Sequence, residues 1–325
     1  RNQAKFYITL MILLLLPCII RADIINHSQI EMVLSNVGAT VNSAGDEFFP
    51  TITADGSVMV FGMKPVDSEN SDIFITRFVN GKWSAPEPIV EINTKFDEQT
   101  PYISPDGKLL IFSSNREGAI RPQKTNASVY YITNDLFISR YEDGKWTAPV
   151  RIEGEVNTEE NERAPFLSRD GKTLYFSRYP GNDIEHSNVY KAQFDGINGT
   201  NVQLMPAPIN SDYSDFGLME SNRKSGFYFS SNRPGGHGLW DIYFVSFSDG
   251  VFGEPINLGT PVNSEFNDIT ITEIGNVVFF CSDRKDGQGN TDIYTIMLSP
   301  KVFAIPEIGY HIKFLEKGTN KPISA

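Results

Sequence analysis

Five carboxylates recur at one place in a repeated phrase of this chain. Glu47, Glu98, Glu162, Asp215 and Asp268 each follow an asparagine by five residues, the asparagines being Asn42, Asn93, Asn157, Asn210 and Asn263. A ring of carboxylates could hold a hard divalent cation such as calcium, or a cationic ligand. A second set of charges argues for a different use. Arg116, Arg178, Arg233 and Arg284 recur at the end of one apolar run, and Asp72, Asp135, Asp241 and Asp292 at the start of the next. A guanidinium placed between repeated acids satisfies them from inside the fold. We therefore read both sets as structural charges. Arg233 is expected to contact a carboxylate, with Asp241 and Asp215 the leading partners.

Other chemistry is sparse. The histidines His27, His186, His237 and His311 are scattered, with no second ligand at zinc spacing. There is no Gly-x-Ser-x-Gly elbow and no phosphate loop, so no catalytic residue, metal site or cofactor is expected. Cys281 ends the apolar run Val277-Val278-Phe279-Phe280 and reads as a small core residue. Candidate binding residues are aromatic. Trp240, beside the glycine-rich loop that carries His237, is a plausible contact for a partner or a sugar. Tyr130 and Tyr131 lie in the long, locally basic insertion 117–134, of the kind that projects from a binding face.

These residues must be positioned by strands. The asparagines are spaced by 51, 64, 53 and 53 residues, a period that means a radial or stacked architecture. In the second repeat, Pro101-Tyr102-Ile103 is followed by the turn Pro105-Asp106-Gly107-Lys108 and then by the buried-strand pattern Leu109-Leu110-Ile111-Phe112. Asp135-Leu136-Phe137-Ile138 opens a third strand and Gly144-Lys145-Trp146 turns into a fourth. Four strands per repeat make a propeller blade. The fifth repeat offers three, and the stray strand pattern at 30–34 precedes the first asparagine. Exposed sheet edges are costly, so this N-terminal strand is expected to complete the last blade. The fold class is all-β, a five-bladed propeller with four-stranded blades, six blades being the alternative.

Composition bounds the surroundings. Residues 1–22 combine a basic start, an apolar run over 6–20 and a small residue before a polar stretch, the pattern of a secretory signal. Cys18 offers a lipidation site as an alternative to simple cleavage. Beginning at Arg1, the chain is read as part of a longer protein. Without those 22 residues, 25 basic and 40 acidic residues remain, a net charge of −15. That argues against nucleic acid and against direct attachment to anionic lipid.

The segments Ser104-Pro105-Asp106-Gly107-Lys108 with Phe112-Ser113-Ser114-Asn115-Arg116, and Phe229-Ser230-Ser231-Asn232-Arg233-Pro234-Gly235-Gly236 with Trp240-Asp241-Ile242-Tyr243, resemble the WD-like propeller repeat of the TolB type. The resemblance covers roughly residues 30–300. The second segment also resembles the propellers of envelope proteins that end in an OmpA-like peptidoglycan-binding domain. It implies a propeller over 23–305. Residues 306–325 look like the start of a carboxypeptidase-regulatory-like β-sandwich. The first repeat departs from the pattern, with Gly62-Met63-Lys64 where others reach an arginine, and the fourth lacks the Asp-Gly turn. The implied function is non-enzymatic: an exported envelope scaffold, in the periplasm or at the outer membrane, that binds envelope proteins. It would reach peptidoglycan only through a domain not in this chain. A propeller serving a hydrolase, or one binding glycan, is the alternative.

Overall fold

The computed structural model describes residues 30–120, 133–181 and 183–300. The expected signal at 1–22 with Cys18, the sandwich start at 306–325, and Tyr130 and Tyr131 lie outside the described residues. Residues Met32–Leu298 form one compact unit of five antiparallel sheets, one per repeat.

Each blade starts with its innermost strand: Asp46–Ile52, Glu98–Ile103, Asn161–Leu167, Asp215–Glu220 and Asp268–Ile274 in blades 1 to 5. The second strands are buried along nearly their whole length, as in Leu109–Ser114 and Gly226–Ser231. A continuous apolar run is what a strand needs when both faces meet a neighbouring blade. The third strands, such as Asp135–Glu142, emerge to solvent at their far ends. In blades 1, 2 and 4 the outer edge is broken into two short pieces. Blade 3 has a full outer strand, Asn198–Leu204, to which Glu153–Gly154 adds in parallel. In blade 5 the outer strand is Ile30–Asn36, paired to Asp292–Pro300. The ring therefore closes with the N-terminal strand, and it has five blades.

Five apolar clusters each straddle one interface between adjacent blades. Within every blade an aromatic pair stacks between second and third strands: Phe61 on Phe74, Phe112 on Phe137, Phe176 on Tyr190, Phe229 on Tyr243 and Phe280 on Tyr294. These are directly opposed cross-strand neighbours, the unit of sheet stabilisation. In blades 1 to 3 the turns between first and second strands follow from Asp-Gly. Asp106 accepts from Ser104 Oγ at 2.6 Å and Lys108 N at 3.1 Å while Gly107 takes φ +72°. Blade 4, which lacks Asp-Gly, borrows an acid instead. Glu273 of blade 5 accepts from Ser221 Oγ and Asn222 N, each at 2.9 Å.

Candidate functional site

The repeated asparagines join the blades. Asn157 Oδ1 accepts from Leu136 N at 2.7 Å, and its Nδ2 donates to Leu136 O at 3.0 Å and to Ile152 O at 2.9 Å. Asn93 holds Ile73, Asn210 holds Val189 and Asn263 holds Ile242 in the same way. Each amide thus acts as a detached peptide group that pairs with the third strand of the preceding blade. Asn42 does this to Ile293, across the closure of the ring.

The five acids are fully buried, so they do not ring the channel. Each turns back to a Ser or Thr four residues earlier: Glu98 accepts from Thr94 N and Oγ1, Asp268 from Ser264 N and Oγ. The arginines complete the knot. Arg116 meets Glu98 at 3.0 Å, Arg178 Glu162 at 2.8 Å, Arg233 Asp215 at 2.6 Å and Arg284 Asp268 at 2.5 Å. Each guanidinium also lies over its blade's aromatic pair and donates to the carbonyl just before the clamp asparagine, as Arg233 does to Ile209 O. Arg178 enters from two residues earlier in its strand than the others, opposite Glu162 itself.

Of Arg233's two expected partners the structure selects Asp215. Asp241 instead holds the glycine-rich loop, accepting from Gly238 N at 3.1 Å and Asn257 Nδ2 at 2.9 Å. Asp292 likewise accepts from Gly289 N and from Asn36 Nδ2 on the closing strand. Asp135 accepts from Ile120 N and faces Arg151 at 3.6 Å. Asp72 is partly buried near Glu98 and Asp97, and both burial and those charges push its carboxyl up. No group of three or more His, Cys, Asp or Glu able to hold a metal ion occurs among the described residues.

Blade 1 breaks the pattern. Glu47 pairs with Met63 as Glu98 does with Ser114, so Pro65 stands where Arg116 stands in blade 2. Glu47 accepts from Ser43 N and Oγ but has no ion pair among the described residues. Burial, with Asp292 and Asp46 adding to it, pushes its carboxyl up to about 7. Between its unfolded and folded pKa the native state holds a proton that the unfolded chain has lost. This group therefore costs stability progressively as pH rises from about 5 to about 7. Glu47→Gln is expected to be more stable than the parent by about 1–3 kcal/mol at pH 8 and close to equal at pH 4.5. Urea titrations across that range check it. A constant difference at all pH values would contradict the assignment.

Next to the acids lies a ring of bulges. In every innermost strand the register slips just after the acid. The second residue beyond the acid takes positive φ in all five blades: Phe49, Thr100, Ala164, Gly217 and Thr270, at 47–68°. Only glycine adopts this backbone without strain, and each of the others costs on the order of 1–3 kcal/mol. Hydroxyls of the preceding blade hold the bulges of blades 3, 4 and 5. Thr100 Oγ1 accepts from Ala164 N, Ser177 Oγ from Gly217 N and Ser230 Oγ from Thr270 N. At the closure Cys281 occupies this hydroxyl position and accepts from Phe49 N, and burial pushes its thiol up to about 12.

The bulges aim side chains into the channel mouth, a cavity of about 790 Å³ walled by all five blades. Its aromatic lining is Phe48, Phe49, Phe216 and Trp240. Phe49 of blade 1 crosses the axis to meet Phe216 of blade 4 edge-on, with centroids 5.4 Å apart, and Phe216 meets Trp240 at 6.4 Å. A second cavity of about 290 Å³ lies toward the other ends of the same strands. Trp240 is thus both packed on Phe216 and open to the mouth. His237 is exposed and its ring is not in the wall. Its backbone N–H serves Asp241. The sequence reading missed Phe48, Phe49, Gln99, Arg163, Phe216 and Ile269. The signal was there: the residue after the fixed acid varies between repeats, as Phe48, Gln99, Arg163, Phe216 and Ile269, where the acid before it recurs.

The fold and this mouth define a five-bladed β-propeller with an open, aromatic-floored axial site. No protein-family model matches the chain, and no curated protein matches its sequence. Among solved structures it is similar to TolB from Acinetobacter baumannii, 15% identical over 83% of this chain and 63% of that one, TM-score 0.44. A candidate TolB from Agrobacterium tumefaciens is 14% identical over 83% and 91%, TM-score 0.47. An α-L-arabinofuranosidase from Lactobacillus brevis is 13% identical over 82% and 92%, TM-score 0.50. At such identities the likeness is one of fold. The chain spans 63% of the length of the Acinetobacter protein.

Proposed function

We propose that this chain is a non-enzymatic, protein-binding propeller, the exported part of a longer envelope protein. Its channel mouth receives a segment of a partner protein. The observation that carries this reading is the mouth cavity: concave, about 790 Å³, aromatic-floored and rimmed by polar groups, which is the make-up of a binding site. Strained backbone at four of the five bulges, Phe49, Thr100, Ala164 and Thr270, supports it, because such strain collects where side chains must be presented. Leu239 and Ile184 stand exposed at the rim, where apolar side chains gain by being covered. The basic-apolar-small pattern of residues 1–22 supports export. No helix among the described residues is long and apolar enough to cross a membrane. Attachment to peptidoglycan would belong to an OmpA-like domain of the parent protein.

A photo-crosslinking residue at Leu239, in the mouth, should capture an envelope protein in the source cell. The same residue at Val251, equally exposed on the outer edge of blade 4, should not. Capture at both positions, or at neither, would overturn the proposal.

A further inference from the structure

We infer that the mouth selects a partner segment that inserts a basic residue, its cation set over the aromatic floor and beside the carboxylates of the rim. This rests on the mouth being the docking site. The rim carries Asp46 from blade 1, Glu185 from the blade 3 loop and Asp283 from blade 5, against a single cation, Arg163. None of the three acids is in an ion pair among the described residues. Among the described residues Asp283 receives Asn267, through N and Nδ2 at 2.7 Å each, and Glu185 receives Asn232 Nδ2 at 2.9 Å. At the repeat acid of blades 2 to 5, Glu98, Glu162, Asp215 or Asp268, the carboxylate comes with an arginine supplied by the chain, its guanidinium carbon about 5 Å from a ring centroid of that blade's aromatic pair. The mouth repeats the carboxylates and the rings without that cation.

Arg163 does not fill the role. Its guanidinium carbon lies 6.0 Å from the Tyr179 centroid, at the wall. Its Nε and the Oδ1 of Asn267 are buried polar atoms without a partner, one donor and one acceptor from two different blades that line the mouth. Small side-chain rotations would let an extended segment satisfy both, since every peptide unit carries a carbonyl and an N–H. Carboxylates on low-dielectric walls concentrate a field on a cation entering the cavity, and the aromatic faces attract it. The chain's overall charge of −12 favours encounter with a basic partner.

Three blocked tripeptides test this by calorimetry on the whole chain: acetyl-Phe-Lys-Phe-amide, its norleucine counterpart with the same chain but no charge, and its glutamate counterpart. The lysine peptide is expected to bind at least tenfold tighter than the norleucine peptide, with the glutamate peptide weakest. The preference should fall below threefold in Asp46→Asn/Glu185→Gln, and shrink at high salt. Equal binding of lysine and norleucine peptides, lost in Phe216→Leu, would overturn the cation inference while leaving the mouth as the docking site. Binding of the lysine peptide unchanged in both variants would place it elsewhere and overturn the inference. No binding by any peptide, together with no crosslinking from Leu239, would remove the docking reading as well. No binding alongside successful crosslinking would sink the cation inference alone.

Discussion

Replacing Arg233 by alanine is expected to destabilise the propeller by about 3–5 kcal/mol at pH 7, the range for stranding one member of a buried pair. The loss is large because the guanidinium has several acceptors. It meets Asp215 Oδ1 at 2.6 Å, Ile209 O at 2.8 Å, Pro208 O at 3.2 Å and Ser231 Oγ at 2.9 Å. It also covers the rings of Phe229 and Tyr243 at 4.8 and 5.2 Å. Asp215 is fully buried and would keep only the N–H and hydroxyl of Ser211. Lysine at 233 should recover little, because one ammonium cannot serve acceptors spread around a planar fork. Asp215→Asn in the Arg233→Ala background should recover part of the loss. Urea titrations of the single and double variants decide between this knot and a mere surface contact, for which the loss would stay below about 1 kcal/mol. Additivity of the two changes would mean that they do not interact.

The recurrence of these residues was legible in the chain, and with it the blade count and the closure by the N-terminal strand. Periodic apolar runs, Asp-Gly turns and in-register charges are local signals, and they agreed with one another. What each fixed residue does was less legible. The role of Asn157 depends on Leu136 of the blade before it, and nothing in the local phrase shows that an amide will be used as a spare peptide group. The acids looked able to line the channel because they open the innermost strands. A bulge after each one sends the next residues to the mouth and the acid into the blade. That bulge was hidden because Phe49, Thr100 and Thr270 are residue types that avoid positive φ. Only Gly217 hints at it. The missing arginine of the first repeat was visible at Gly62-Met63-Lys64, but that Pro65 takes its place and leaves a buried Glu47 without a cation needed the register of the two strands. The mouth was hardest to see, since its wall is assembled from one or two residues of every repeat.

Asn42→Ala should open the ring where it closes, at a cost of about 1–3 kcal/mol, because Ile293 N loses its acceptor while Ile293 O keeps only Val37 N at 3.1 Å. Asn42 Nδ2 donates to Ile293 O at 3.0 Å and to Asn36 Oδ1 at 2.8 Å, and Oδ1 accepts from Ile293 N at 3.0 Å. Asn36 in turn donates to Asp292, so one amide ties the first strand of the chain, the last strand and the entry to blade 1 together. Asn210 makes equivalent bonds to Val189 within a short stretch of chain. Its loss should cost a similar energy but leave closure intact. The two variants therefore separate by where exchange rises. Hydrogen–deuterium exchange in Asn42→Ala should increase first in residues 30–36 and 292–298, whereas Asn210→Ala should affect the junction of blades 3 and 4. Asn42→Asp refines the test without a cavity. Its carboxylate keeps an acceptor for Ile293 N but sets a negative oxygen against Ile293 O and Asn36 Oδ1. Protonation restores a donor, so this variant should regain stability as pH falls toward 4. Uniform exchange in all three proteins, or a loss under about 1 kcal/mol for Asn42→Ala, would show that apolar contact at Val41, Phe61, Phe279 and Cys281 closes the ring without the clamp.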